Sequence, residues 1–158
     1  MYTISPMSIT DYDDAVALWL RTEGMSLELE DVDAREQVAR YLERNAGMSF
    51  VARTEDRLVG AVMCGHDGRR GYLHHLAIDR EYRRLGIGSA LVACCLAALH
   101  ADGISRCNIF VLADNECGRR FWEEHGWSIK PNPRLQIATK RNGDTDMLQK
   151  AEMTGKGG

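Results

Sequence analysis

The chain has 158 residues, with 20 Lys and Arg against 23 Asp and Glu and a formal net charge of −3. That length suits one domain with a single core, and 44% hydrophobic against 27% charged residues is an ordinary globular balance. The charge excludes a general pull toward nucleic acid, although a local patch can still hold phosphate. No apolar run approaches the length needed to cross a bilayer.

In chain order, "YTISPM" reads as a first strand, and Thr10 is placed to cap a helix whose apolar side carries Tyr12, Ala15, Val16 and Trp19. "EGMSLELEDVDARE" is acidic and irregular and leads into a second helix ending near Asn45. "MSFVAR" and "LVGAVMCG" are strands of a hairpin across the turn "TEDR". "HDGRRG" breaks the pattern before a fourth strand, "YLHHLAI". Strict alternation there puts Tyr72, His74, Leu76 and Ile78 on one face and Leu73, His75 and Ala77 on the other, with His75 packed against a helix. "EYRRLGIGSALVACCLAAL" then opens a helix that buries Ile87, Leu91, Val92, Cys95, Ala98 and Leu99 and runs to about Ala101. "DGISRCNIFVLADN" is turn, strand and loop, and "ECGRRFWEEHG" is a short helix closed by Gly126. "WSI" and "LQIATK" are final strands, and the stretch after residue 141 is a polar extension. The expected fold is α+β, three-layered, with a mixed sheet of six to seven strands and about four helices over residues 1–141. Residues 142–158 are an extension expected to be partly disordered.

Cys64, Cys94, Cys95, Cys107 and Cys117 are odd in number and mostly lie within apolar segments, which favours free thiols in a reducing compartment. No Cys-x-x-Cys pair or His-Cys cluster has metal-ligand spacing. The start "MYTISPMSITDYDD" lacks the basic leader and apolar core of a secretory signal. Cytoplasmic placement is therefore expected, with no metal, no membrane and no nucleic-acid partner.

The chemistry concentrates at Arg83, Arg84, Leu85, Gly86, Ile87, Gly88 and Ser89. Glycines free the backbone to turn tightly and approach a ligand closely, and a helix start carries N–H groups without partners. Together they make an anion site, to which arginines add charge-assisted bonds. The alternative is that the glycines only shape a strand-to-helix turn. A Walker loop lacks its Gly-Lys-Ser/Thr end here, and a dinucleotide fingerprint would want Gly or Ala where Leu91 stands.

"AIDREYRRLGIGSALV" resembles the acyl-CoA pyrophosphate loop of the GNAT superfamily of N-acetyltransferases, with Arg83, Gly86 and Gly88 on its pattern. "DNECGRRFWEEHGW" resembles the family's second landmark, through Asn115, Phe121, Trp122, Gly126 and Trp127. The resemblance is to small bacterial members of unassigned substrate. It implies transfer of an acetyl group from acetyl-CoA to a primary amine by direct attack in a ternary complex. It further implies that pantetheine pairs near Leu76 and Ile78 and that diphosphate rests on the N–H groups of Arg84 through Ser89. Asn115 and Trp122 join the cofactor-binding set.

Members often carry Tyr where Trp122 stands, and indole N–H is a very poor acid, so no general acid is assigned there. Phe110 occupies the fifth-strand position where several protein N-terminal acetyltransferases use Glu. His74 and Tyr72 are the candidate proton handlers, with substrate contact or a purely structural role as the alternative for His74. His66 is either a border of the acceptor pocket or a turn residue. His100 faces solvent, and His125 sits at a helix C-terminus, where an imidazolium is favourable. Glu23, Glu28, Glu30, Asp31, Asp33 and Glu36 form either an acidic rim that attracts a cationic amine or a solvated loop. The alternative function is a catalytically weak or inactive acyl-CoA-binding protein of the same fold. The resemblance leaves a homodimer open.

Overall fold

The computed structural model describes residues 1–129. Five strands lie in the order β1 (Thr3–Pro6), β2 (Phe50–Thr54), β3 (Arg57–His66), β4 (Gly71–Ile78) and β5 (Cys107–Ile109). The first four pair antiparallel, whereas β4 and β5 run parallel, giving the expected mixed sheet. The predicted strand "LQIATK" and the polar extension fall outside the described residues, and Trp127–Ile129 form no strand.

Helices α1 (Tyr12–Leu20) and α2 (Arg35–Arg44) precede β2. Helix α3 (Ile87–Ala101) connects β4 to β5, and α4 (Glu116–Glu124) follows β5. The start of α1 differs from the sequence reading. A short 3₁₀ turn over Ile9–Asp11 comes first, and the Ser8 N–H donates to the Asp11 carboxylate at 2.9 Å, while the Thr10 hydroxyl only meets that of Ser8. A carboxylate in the first turn is favoured there, and it displaces Thr10 from the capping role.

Strand β3 is the middle of the molecule, buried along nearly its whole length because helices cover both its faces. One face packs Val59, Val62 and Cys64 with Leu91, Cys95 and Leu99 of α3. The other packs Leu58, Ala61 and Met63 with Leu18 and Trp19 of α1 and Val38 of α2. The predicted buried stripe of α3 is recovered in Ile87, Leu91, Val92, Cys95 and Leu99.

Two register breaks shape the sheet. Along β2–β3, Ala52 opposes Gly60 but Arg53 opposes Leu58. Along β3–β4, Ala61 opposes Ala77 but Met63 opposes His74, so β4 carries one extra residue. That residue is at His75, whose φ of 54° is left-handed. Such a bulge keeps successive residues on one face and increases local twist.

The bulge corrects the alternation expected of β4. Leu73, Leu76 and Ile78 pack toward α3, whereas Ala77 packs toward α1 and the His74 ring meets Tyr41 of α2 edge-on at 6.3 Å. Tyr72 and His74 therefore do not share a face with Leu76 and Ile78. His75 does pack on a helix, its ring 5.2 Å from that of Trp19 in α1.

Candidate active site

The parallel ladder between β4 and β5 ends at the pair Leu73–Ile109, although β4 continues to Ile78. The strands part there, because Phe110 to Asn115 leave the sheet for the start of α4 while β4 runs on past its bulge. A cleft of about 190 Å³ opens between them. Leu73, His75 and Leu76 form one wall, Ile109 to Leu112 with Asn115 and Trp122 the other, and Gly24, Met25 and Ser26 of the α1–α2 connection close it.

At the end of β4, Asp79 is buried and binds both Arg21 (2.9 Å) and Arg57 (2.8 Å), while its other oxygen accepts from the Glu81 N–H. Burial pushes this carboxyl up, but Arg21, the Glu81 N–H and Arg57 outweigh it and hold it below the usual range. A carboxylate with a depressed folded pKa stabilises the fold above its unfolded pKa, and that contribution is lost as pH falls through the folded pKa. Asp79→Asn should therefore narrow the stability difference between neutral and acid pH, read by urea denaturation at both.

The turn that follows is the glycine-rich one. Arg84 has φ 65° and Gly86, the N-cap of α3, has φ 80°. A Cβ at Gly86 would meet nothing within 4 Å, so this backbone borders open space. The N–H groups from Arg84 through Ser89 donate to no other described residue. An uninterrupted row of free donors at the N-terminus of a fifteen-residue helix suits a polyanion such as a diphosphate. Arg83 is held differently: its Nε donates to the Ile78 carbonyl at 3.2 Å, pinning the turn to the end of β4.

Gly88 serves packing. A Cβ there would lie 3.3 Å from the ring of Phe121 in α4 and 3.7 Å from Ile78. The two landmarks read separately from the sequence are thus in contact. A second link was not foreseen. His125, expected only as a helix-end residue, points Nδ1 at the Phe121 carbonyl (2.6 Å) and Nε2 at the Ser89 hydroxyl. The carbonyl can only accept, so Nδ1 carries the proton, and Nε2 accepts from Ser89. The Ser89 side chain is thereby committed to α4, leaving its N–H for a ligand.

Asn115 caps α4, its Oδ1 accepting from the Gly118 N–H at 2.9 Å, while the residue lines the cleft. Trp122 is 8% exposed and packs edge-on against Trp127 with centroids 4.9 Å apart. It is a wall of the cleft. Phe110 is 69% exposed at its lip and lies nearly parallel to Tyr72, which in turn lies nearly parallel to His74.

Of the two candidate proton handlers, neither Tyr72 nor His74 lines the cleft; His75 does. Burial, then the neighbouring His75, pushes the His74 imidazole below its ordinary range, and Asp33 only partly offsets this. His66 does not border the cleft: it ends β3, with Nε2 2.9 Å from the Asp102 carboxylate. His100 is exposed, as expected. Asp33 is a correction to the acidic rim. It is 7% exposed and bonded inside the molecule, whereas Glu23, Glu28, Glu30 and Glu36 are exposed.

Burial pushes the Cys107 thiol up to about 12, and the neighbouring Cys64 thiol together with burial raises that of Cys95, so both stay protonated and non-nucleophilic. Cys117 is exposed. Among the described residues no group of three or more His, Cys, Asp or Glu is placed to hold a metal, and no helix is long and apolar enough to cross a membrane.

Residues 13–127 match the model of the Acetyltransferase (GNAT) family. An acetyltransferase of Sodalis glossinidius is 29% identical over 125 residues, covering 79% of this chain and 86% of the relative. One of Photorhabdus laumondii is 30% identical over 106 residues, covering 67% and 72%. Among solved structures, the PaiA N-acetyltransferase from Thermoplasma acidophilum in complex with coenzyme A shares the fold with a TM-score of 0.72. That match is at 18% identity and covers 82% of this chain and 91% of the other.

Proposed function

This chain belongs to the GNAT family of acetyltransferases, and from that premise we propose that it transfers the acetyl group of acetyl-CoA to a primary amine by direct attack. The row of unpartnered N–H groups from Arg84 through Ser89, beside a cleft between parting strands, carries this reading.

When bound, acetyl-CoA supplies an activated thioester. The chain's own contribution is positioning. The N–H row and the guanidinium of Arg84 hold the diphosphate, and the left-handed Gly86 keeps their approach open. The edge of β4 around Leu76 and Ile78, freed from β5, receives the pantetheine amides. Leu85 and Ile87 complete the turn, the latter rooted in the core. Asn115 and Trp122 bound the far side, where Trp122 excludes water without acting as an acid. Tyr72 and His74 present a ring surface ending in exposed Phe110, suited to contact with the acceptor. Burial lowers the proton affinity of His74, which suits it to contact with the acceptor rather than to carrying a proton. The exposed Glu23, Glu28 and Glu30, on the same connection as Gly24–Ser26, favour an acceptor that arrives as a cation.

The test is CoA release with acetyl-CoA and a panel of primary amines, including amino-acid derivatives, polyamines, aminoglycosides and peptide N-termini. Acetylation of at least one amine is expected, with its KM rising as salt increases. Tight acetyl-CoA binding with no amine acetylated would instead favour a binding protein, the reading that Trp122 in the place of the common Tyr supports.

A further inference from the structure

His75 combines features the proposed chemistry has not used. It is the extra residue of the β4 bulge, it carries a left-handed backbone, and it lines the cleft where β4 and β5 part. A left-handed conformation is unfavourable for a residue with a Cβ and persists only where surrounding contacts impose it. Here they do. The His75 carbonyl accepts from the Trp19 indole N–H at 2.7 Å, and the ring packs against the Trp19 ring. Its Nε2 lies 2.7 Å from Oδ1 of Asp33.

Asp33 is held as firmly. Its Oδ2 accepts from the Glu28 N–H at 2.8 Å, and its carbonyl accepts from the buried Tyr12 hydroxyl at 2.6 Å. With both carboxylate oxygens accepting, the proton between Asp33 and His75 resides on Nε2. Nδ1 is therefore the basic nitrogen. It makes no hydrogen bond to a described residue, and it is not a buried, unpartnered atom, a condition met among the described residues by the Tyr41 hydroxyl alone. Nδ1 is thus within reach of solvent, and His75 is one of the residues that line the cleft.

Resting on the acetyltransferase reading, we infer that His75 is the general base for the acceptor amine and that Asp33 is its positioning residue. Nδ1 takes one proton from the acceptor ammonium, freeing the nitrogen lone pair. The C–N bond forms at the acetyl carbon as the C–S bond breaks. Sulfur keeps that electron pair and receives, through water, the second proton lost by nitrogen. His75 returns its proton to solvent when product leaves. A carboxylate that fixes one tautomer and orients the ring adds to the rate without touching substrate. The same bond ties the α1–α2 connection, which closes the cleft through Gly24–Ser26, to the bulge. The titratable groups facing His75 are Asp33 from this connection and His74 from its own strand; Trp19 of α1 brings no charge.

The deciding variant is His75→Gln, whose side-chain amide keeps a donor for Asp33 but offers no base. It should fold, at some cost for the lost ring contact with Trp19, and bind acetyl-CoA normally, yet lose about 100- to 1,000-fold in kcat. The acid limb of its kcat/KM profile should retain only the ionisation of the acceptor. Asp33→Asn tests the positioning. The Glu28 N–H demands the amide oxygen, so the NH₂ must face His75 and force its proton onto Nδ1; a loss of about 100-fold in kcat is expected at unchanged acetyl-CoA affinity. Wild-type kcat and pH profile in His75→Gln, with a large loss in His74→Ala, would overturn the assignment in favour of His74.

Should no amine be acetylated, the acetyltransferase reading fails first, and ¹⁵N NMR of the imidazoles still judges the dyad. An Nε2–H tautomer at His75 that converts to Nδ1–H in Asp33→Asn supports it. Nδ1–H in the wild type overturns it.

Discussion

Gly86→Trp should abolish acetyl-CoA binding in a protein that remains folded. Gly86 has φ 80°, and a side chain there would enter open space, so the backbone cost is that of a left-handed residue with a Cβ, about 1–2 kcal/mol. Domains of this size carry about 5–15 kcal/mol of stability, so the fold survives. The indole, however, would stand beside the N–H groups of Arg84 through Ser89. Hydrogen bonds to a charged acceptor are worth about 1.5–3 kcal/mol each, so losing two of them weakens binding by more than about 100-fold. Calorimetry with acetyl-CoA checks this alongside a thermal melt. A folded variant with wild-type affinity would remove diphosphate from this turn.

Leu91→Ala should have the opposite signature. Leu91 is 0% exposed, and its Cδ1 lies 3.0 Å from the position a Cβ on Gly60 would occupy. It joins α3 to β3 where the helix crosses the bulge of that strand. Truncation leaves a cavity that the closely packed Ile78 and Ile87 cannot fill without moving, and about 3 kcal/mol of stability should be lost. Urea denaturation measures it. The N–H row is untouched, so the folded fraction should bind acetyl-CoA almost as the wild type does. A loss under about 1 kcal/mol would mean that this contact is not a centre of the core.

The contrast between these two residues shows what could be read in advance. The buried stripe of α3 follows from spacing, and so does the hairpin of β2 and β3. The row of free N–H groups was equally readable, because a helix start and the glycines before it are local facts. The two landmarks were recognised apart, but their contact through Gly88 and Phe121, and through Ser89 and His125, joins residues distant in sequence. No local pattern encodes such a meeting.

The fourth strand is where local reading failed. Alternation assigns Tyr72, His74, Leu76 and Ile78 to one face only if every residue advances the pleat by one step. One additional residue reverses that parity, and "YLHHLAI" contains no glycine to announce it. The left-handed His75 is imposed from outside, by Trp19 and Asp33, residues that precede it by 56 and 42 positions. For the same reason Asp33 read as one more acid of an exposed loop, when it is the buried hydrogen-bond partner of His75.

The sequence by itself therefore determined the order of elements from β1 to α4, the family and a helix start whose N–H groups are left free, since each depends on neighbours within a few residues. Tertiary structure alone decided which histidine of the His74–His75 pair meets the cleft. A strand's facing is a matter of parity, and that parity was set by contacts from the other side of the sheet.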